Sequence, residues 1–102
     1  MQTVDFDGET LTLKWARYEN GNLGLQLLSA EGEPALTAST SGPNTVPENV
    51  MWVKAYGENA GIDEALIKAG IINEVPWMYW PSGPIDVYAY RVLVPFEVES
   101  GD

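Results

Sequence analysis

The chain has 102 residues, 45% hydrophobic and 11% aromatic, with fifteen acids, five bases, no cysteine and no histidine, and a net charge of −10. That length bounds a single domain with one modest core, and the composition lies well clear of disorder. The missing residues exclude disulfides, thiolate metal sites and histidine-dependent triads, and the charge is repelled by phosphate backbones and anionic membrane surfaces.

Met1 to Asp7 has no basic start and no apolar run, so a secretory signal is not expected. No stretch approaches the roughly 20 apolar residues that span a bilayer. These features lead us to expect a cytoplasmic protein, with no membrane partner. Thr10 to Tyr18 alternates with period two, which sets Leu11, Leu13 and Trp15 on one strand face. Glu19-Asn20-Gly21-Asn22 is a hairpin signal, and Leu23 to Ser29 returns with Leu23, Leu25 and Leu27 facing inward. Ala35 to Thr40 reads as a third strand, completing an antiparallel meander.

Ser41 to Glu48 is a proline- and glycine-bearing loop, followed by a short apolar strand from Val50 to Lys54. Asn59 to Gly70 predicts one short helix. Asp63 and Glu64 suit its positive end, Lys68 its negative end, and Gly70 a left-handed C-cap that lets Ile71 pack back on Leu66. Its buried stripe is Ile62, Leu66 and Ala69. Asn73 to Pro84 reads as an irregular connection with an apolar centre, and Asp86 to Val94 as a final half-buried strand. Pro95 ends or kinks that strand, and 95–102 is expected to fray as an acidic tail. The expectation is an α+β fold, with an antiparallel sheet of four to five strands and one short helix packed on it, spanning 1–102 as one domain.

No serine stands in a Gly-x-Ser-x-Gly context and no glycine-rich phosphate loop is present. Asp5-Phe6-Asp7-Gly8-Glu9 resembles the opening of a calcium loop, but Ala16 and Arg17 stand where the closing acid belongs, so it reads as a turn. Asp63 and Glu64 diverge by about 100° on a helix and do not face each other. A catalytic role, a cofactor and a metal are therefore not expected.

The aromatics point elsewhere. Four tryptophans and five tyrosines exceed what one small core readily absorbs. Trp15 and Trp52 read as core, while Trp77, Tyr79 and Trp80 lie together between Pro76 and Pro81. Two readings stay open for this segment: a cover over the sheet edge, or a partly exposed anchor for a partner ringed by acids. On the second reading Trp77, Tyr79 and Trp80, with Glu58, Asp63, Glu74 and Asp86, form a partner-binding surface for a protein, basic in character. Self-association into a homodimer is compatible with the same surface.

Asn20-Gly21-Asn22-Leu23-Gly24-Leu25-Gln26-Leu27 followed by Glu31-Gly32-Glu33-Pro34 resembles a hairpin whose typical form is NGNLAIQL…DGEP. Pro47-Glu48-Asn49-Val50, the Lys54-x-Tyr56-x-Glu58-Asn59-x-Gly61 run, Glu64-Ala65-Leu66 and Ala69-Gly70-Ile71 resemble the centre of the same family, and Ser82-Gly83 with Tyr88-x-Tyr90 its end. The family consists of short proteins of unknown function carried by bacterial mobile elements and phages. The chain departs from it at Pro76 to Pro81, which replaces a usually polar stretch. The resemblance implies a mobile-element or phage setting, in which small acidic proteins often inhibit host defence, as anti-restriction and anti-CRISPR proteins do. The expected function is a small acidic protein-binding module that inhibits a host nucleic-acid-processing or defence system without touching nucleic acid directly. The alternative is an accessory or structural mobile-element protein, dimeric or not, with no inhibitory role.

Overall fold

The computed structural model describes residues 2–98. The fold is α+β and the strands are antiparallel, but they number seven and divide between two sheets. The first sheet is a four-stranded meander in chain order: β1 (Thr3–Phe6), β2 (Glu9–Arg17), β3 (Leu23–Leu28) and β4 (Pro34–Thr37). The second has the order β5–β7–β6, from β5 (Val50–Val53), β6 (Met78–Ser82) and β7 (Ile85–Arg91).

β1 exists because Asp7 and Gly8 both adopt positive φ, 54° and 80°, and turn the chain in two residues so that Phe6 pairs with Glu9. This is the conformation a tight primed hairpin turn needs, and Asp-Gly supplies it cheaply. The second hairpin closes over Asn20-Gly21-Asn22. There the Asn20 side chain accepts the Asn22 N–H and Gly21 donates to the Tyr18 carbonyl. Leu23, Leu25 and Leu27 are buried on the inner face of β3, each contributing about 1.5–3 kcal/mol over exposure.

The segment after β4 joins the two sheets. Ala38 donates to the Leu25 carbonyl in the first sheet, while Thr40 donates to Trp52 and Lys54 donates to Ala38 along β5. Ser39 adds to both, as its hydroxyl accepts the Leu25 N–H and its backbone bridges Val53.

A 3₁₀ turn (Gly57–Asn59) leads into helix α1 (Ile62–Lys68). Gly61 is the N-cap, and the Ile71 N–H bonds back to the Leu66 carbonyl across Gly70 at φ 76°. Ile62 and Leu66 are buried against the main core, which also takes Val4, Leu11, Trp15, Met51, Val53, Tyr90 and Val92. Ala69, expected in the buried stripe, is the C-cap residue just past Lys68 and is exposed. Ala65 and Ile67 pack on the core instead.

A second, smaller cluster lies on the other face of the β5–β7–β6 sheet: Val46, Val50, Trp52, Val87 and Ala89, with Tyr56 and Met78 against it. The loop before β5 covers it so closely that a side-chain carbon on Gly42 would lie 2.0 Å from the Trp52 ring.

Residues 95–102 were expected to fray. Over 95–98 that expectation is corrected: the Phe96 ring sits 5.4 Å from that of Trp15, and Val98 forms a parallel bridge with Trp15. The Phe96 and Val98 side chains both pack, half-buried, against the main core. The rest of that segment lies outside the described residues.

Candidate protein-binding surface

The stretch expected to be irregular is a strand hairpin. Met78 pairs with Ala89, Tyr79 with Tyr88, Trp80 with Val87, Pro81 with Asp86 and Ser82 with Ile85, with Gly83-Pro84 as a two-residue turn. Gly83 has φ 67°, as the first position of such a turn favours. Proline is tolerated in β6 because that strand is the outer one of its sheet.

Strand geometry corrects the expectation that Trp77, Tyr79 and Trp80 form a single cluster. Neighbouring residues on a strand face opposite sides. Tyr79 meets Tyr88, their ring centroids 5.8 Å apart, and both remain exposed. Trp80 lies with Val87 on the side of the small second cluster, where a cleft of about 260 Å³ is lined by Trp80, Tyr56, Pro43, Gly42 and the hydroxyl residues Thr40 and Ser41. Trp77 precedes the strand and donates its N–H to the Ala89 carbonyl at 2.7 Å.

Seven large hydrophobic side chains are exposed among the described residues, and six of them fall between Val75 and Tyr88. They are Val75, Trp77, Tyr79, Trp80, Ile85 and Tyr88, exposed by 38–66%. Sequence inspection found three of the six. Tyr88 was hidden by its place in an alternating strand that otherwise reads as half buried, and only the Gly83-Pro84 register reveals that it meets Tyr79.

The four expected acids divide. Glu74 and Asp86 belong to the hairpin region, Glu74 in the loop that leads into it and Asp86 opposite Pro81; both are exposed. Asp63 starts α1, half buried, and accepts a hydrogen bond from the Tyr90 hydroxyl at 3.3 Å. Burial first, and the Asp63 charge second, push the Tyr90 phenol up to about 12. Glu58 stands with Asp7, Glu9 and Asn59 around a different cleft of about 210 Å³. No group of acids among the described residues has the arrangement to hold a metal ion. Glu58 is thus set at a different cleft, whereas Asp63 reaches β7 of the hairpin through the Tyr90 hydroxyl.

Between Lys68 and Arg91 the chain carries no lysine or arginine, so the aromatic hairpin has two nearby acids and no cation of its own sequence stretch. Among the described residues no helix is long and apolar enough to cross a membrane. Comparison with protein-family models, with curated proteins and with solved structures finds no match to this chain.

Proposed function

We propose that this chain is a protein-binding module whose β6–β7 hairpin docks on a basic protein surface, and that it inhibits a nucleic-acid-processing or defence protein of a bacterial host by covering that surface. The observation that carries the reading is the concentration of six of seven exposed large hydrophobics between Val75 and Tyr88. All six belong to one hairpin and its lead-in, divided between two faces, and tyrosine and tryptophan are the residues that most often anchor interfaces. The net charge of −10 supplies long-range attraction toward a basic partner and disfavours direct contact with phosphate backbones. The inhibitor role, of the anti-CRISPR or anti-restriction kind, rests on charge, size and the resemblance to mobile-element proteins.

The test is capture from bacterial lysate by immobilised protein at low and at high salt, run beside a Trp77→Ala/Tyr79→Ala variant. A basic nucleic-acid enzyme retained at low salt, released at high salt and lost with the variant supports the reading. Retention unaffected by the variant counts against the hairpin.

The open edge of β6 also favours a second reading, an accessory protein that pairs with its own copy and inhibits nothing. Sedimentation of the purified chain separates the two.

A further inference from the structure

We infer that the β6 edge receives an extended, lysine- or arginine-bearing segment of the partner as an added strand, centred on Tyr79; this deepens the reading above and rests on it. Ser82 and Ile85 flank the two-residue turn and so form the hydrogen-bonded pair that closes it. Antiparallel alternation then makes Trp80 with Val87, and Met78 with Ala89, the hydrogen-bonded pairs. Tyr79 and Pro81 consequently turn their backbone groups away from β7, toward the side of β6 where no strand lies among the described residues.

Pro81 has no N–H to leave unpaired, so it costs this edge nothing and presents only its carbonyl. Tyr79 presents both an N–H and a carbonyl. An incoming strand paired at Tyr79 can also reach the Pro81 carbonyl, enough to fix its register, as in other strand-addition complexes.

Side-chain chemistry identifies the occupant. Tyr79 stands on one face of β6 and Trp80 on the other, both exposed. A strand laid beside them meets an aromatic ring on each face, and aromatic faces attract ammonium and guanidinium groups. Asp86, opposite Pro81, adds a carboxylate; Lys54, the cation near the Trp80 cleft, sits over the Tyr56 ring, and Arg91 stands at the far end of β7. A second copy of this chain fits poorly, because it would bring another −10 of charge against the first.

The experiment uses the full chain, labelled with ¹⁵N, and a synthetic hexapeptide alternating lysine and valine. Binding is expected to shift and protect the Tyr79 amide, and to weaken about tenfold when the peptide is N-methylated on the nitrogens that face β6. The glutamate–valine counterpart is expected not to bind. Equal binding of the methylated peptide overturns strand addition while leaving the hairpin as a docking surface. Absence of lysine–valine binding, or a dimer formed through the Tyr79 amide, overturns the inference itself. Loss of lysate capture with the aromatic variant is read separately, so the two proposals fail independently.

Discussion

Asn22 and Trp52 donate to the same oxygen. The Asn22 amide reaches the Asn44 carbonyl at 2.8 Å and the Trp52 indole reaches it at 2.9 Å. One residue belongs to the turn of the first sheet and the other to the second sheet, so the loop carrying Asn44 clamps the two together. Asn22 also donates to the Ser41 carbonyl and accepts the Val46 N–H, which uses its whole amide while it is 1% exposed.

Asn22→Ala is therefore expected to destabilise the protein by about 3 kcal/mol, since it leaves several backbone groups without their partner. Trp52→Phe removes one of the two donors. The double variant should lose more than the sum of the single losses, by about 0.5 kcal/mol or more, because only then does the Asn44 carbonyl lack both donors. Urea unfolding of the four proteins measures the difference.

Gly42 and Gly57 both have positive φ, 79° and 64°, but only Gly42 is crowded. Gly42→Ala drives a methyl into the Trp52 indole and should cost at least about 3 kcal/mol. Gly57→Ala meets nothing within 4 Å and should cost only about 1 kcal/mol. Equal losses would show that the loop does not press on Trp52.

Phe96→Ala is expected to lower stability by about 2 kcal/mol, through loss of the contact with Trp15. The Arg17 guanidinium, 5.7 Å from the centre of the Phe96 ring, loses its aromatic neighbour as well. A variant as stable as the parent would mean that this terminal segment frays after all.

Tyr90 gives the protein an alkaline limit. Its phenol titrates ordinarily at 10.0 and is raised to about 12 here, so the neutral form is favoured on folding. The associated stability is complete below pH 10 and is lost as pH rises through about 12. Tyr90→Phe removes the hydrogen bond to Asp63 and should flatten this part of the stability profile. Denaturation series on both proteins across that window make the comparison.

Trp77→Ala and Tyr79→Ala should each change stability by less than about 0.5 kcal/mol, because these rings are 42% and 58% exposed. Capture of the partner should fall about tenfold or more if they anchor it.

The leucine alternation around Asn20-Gly21 made β2 and β3 readable, since period and turn chemistry agree there. The cap at Gly70 was readable for the same reason. β1 was missed although Asp7-Gly8 is itself a strong hairpin signal, because the acids around it drew attention to calcium chemistry. β6 was missed because Pro76, Pro81, Gly83 and Pro84 read as loop punctuation, and only an outer strand tolerates such residues. At the site, composition revealed the aromatic run but not its division between two faces, which depends on pairing with β7. Of the acids, Glu58 stands at a different cleft, while Asp63 meets β7 through Tyr90, a pairing across 27 residues that sequence spacing does not announce.

The strand that ends the sheet in time is the one at its centre. β7 follows both β5 and β6 in the chain, yet it separates them in the sheet. Until the ribosome has released it, β5 has no partner on that side and β6 has none in its sheet, and Trp52 lacks the Val87 and Ala89 side chains that help to bury it. The first meander, built from neighbouring hairpins, can assemble during translation, whereas the aromatic half must wait for β7. A nascent chain thus passes through an interval in which β6 has been made but its hairpin with β7 does not yet exist.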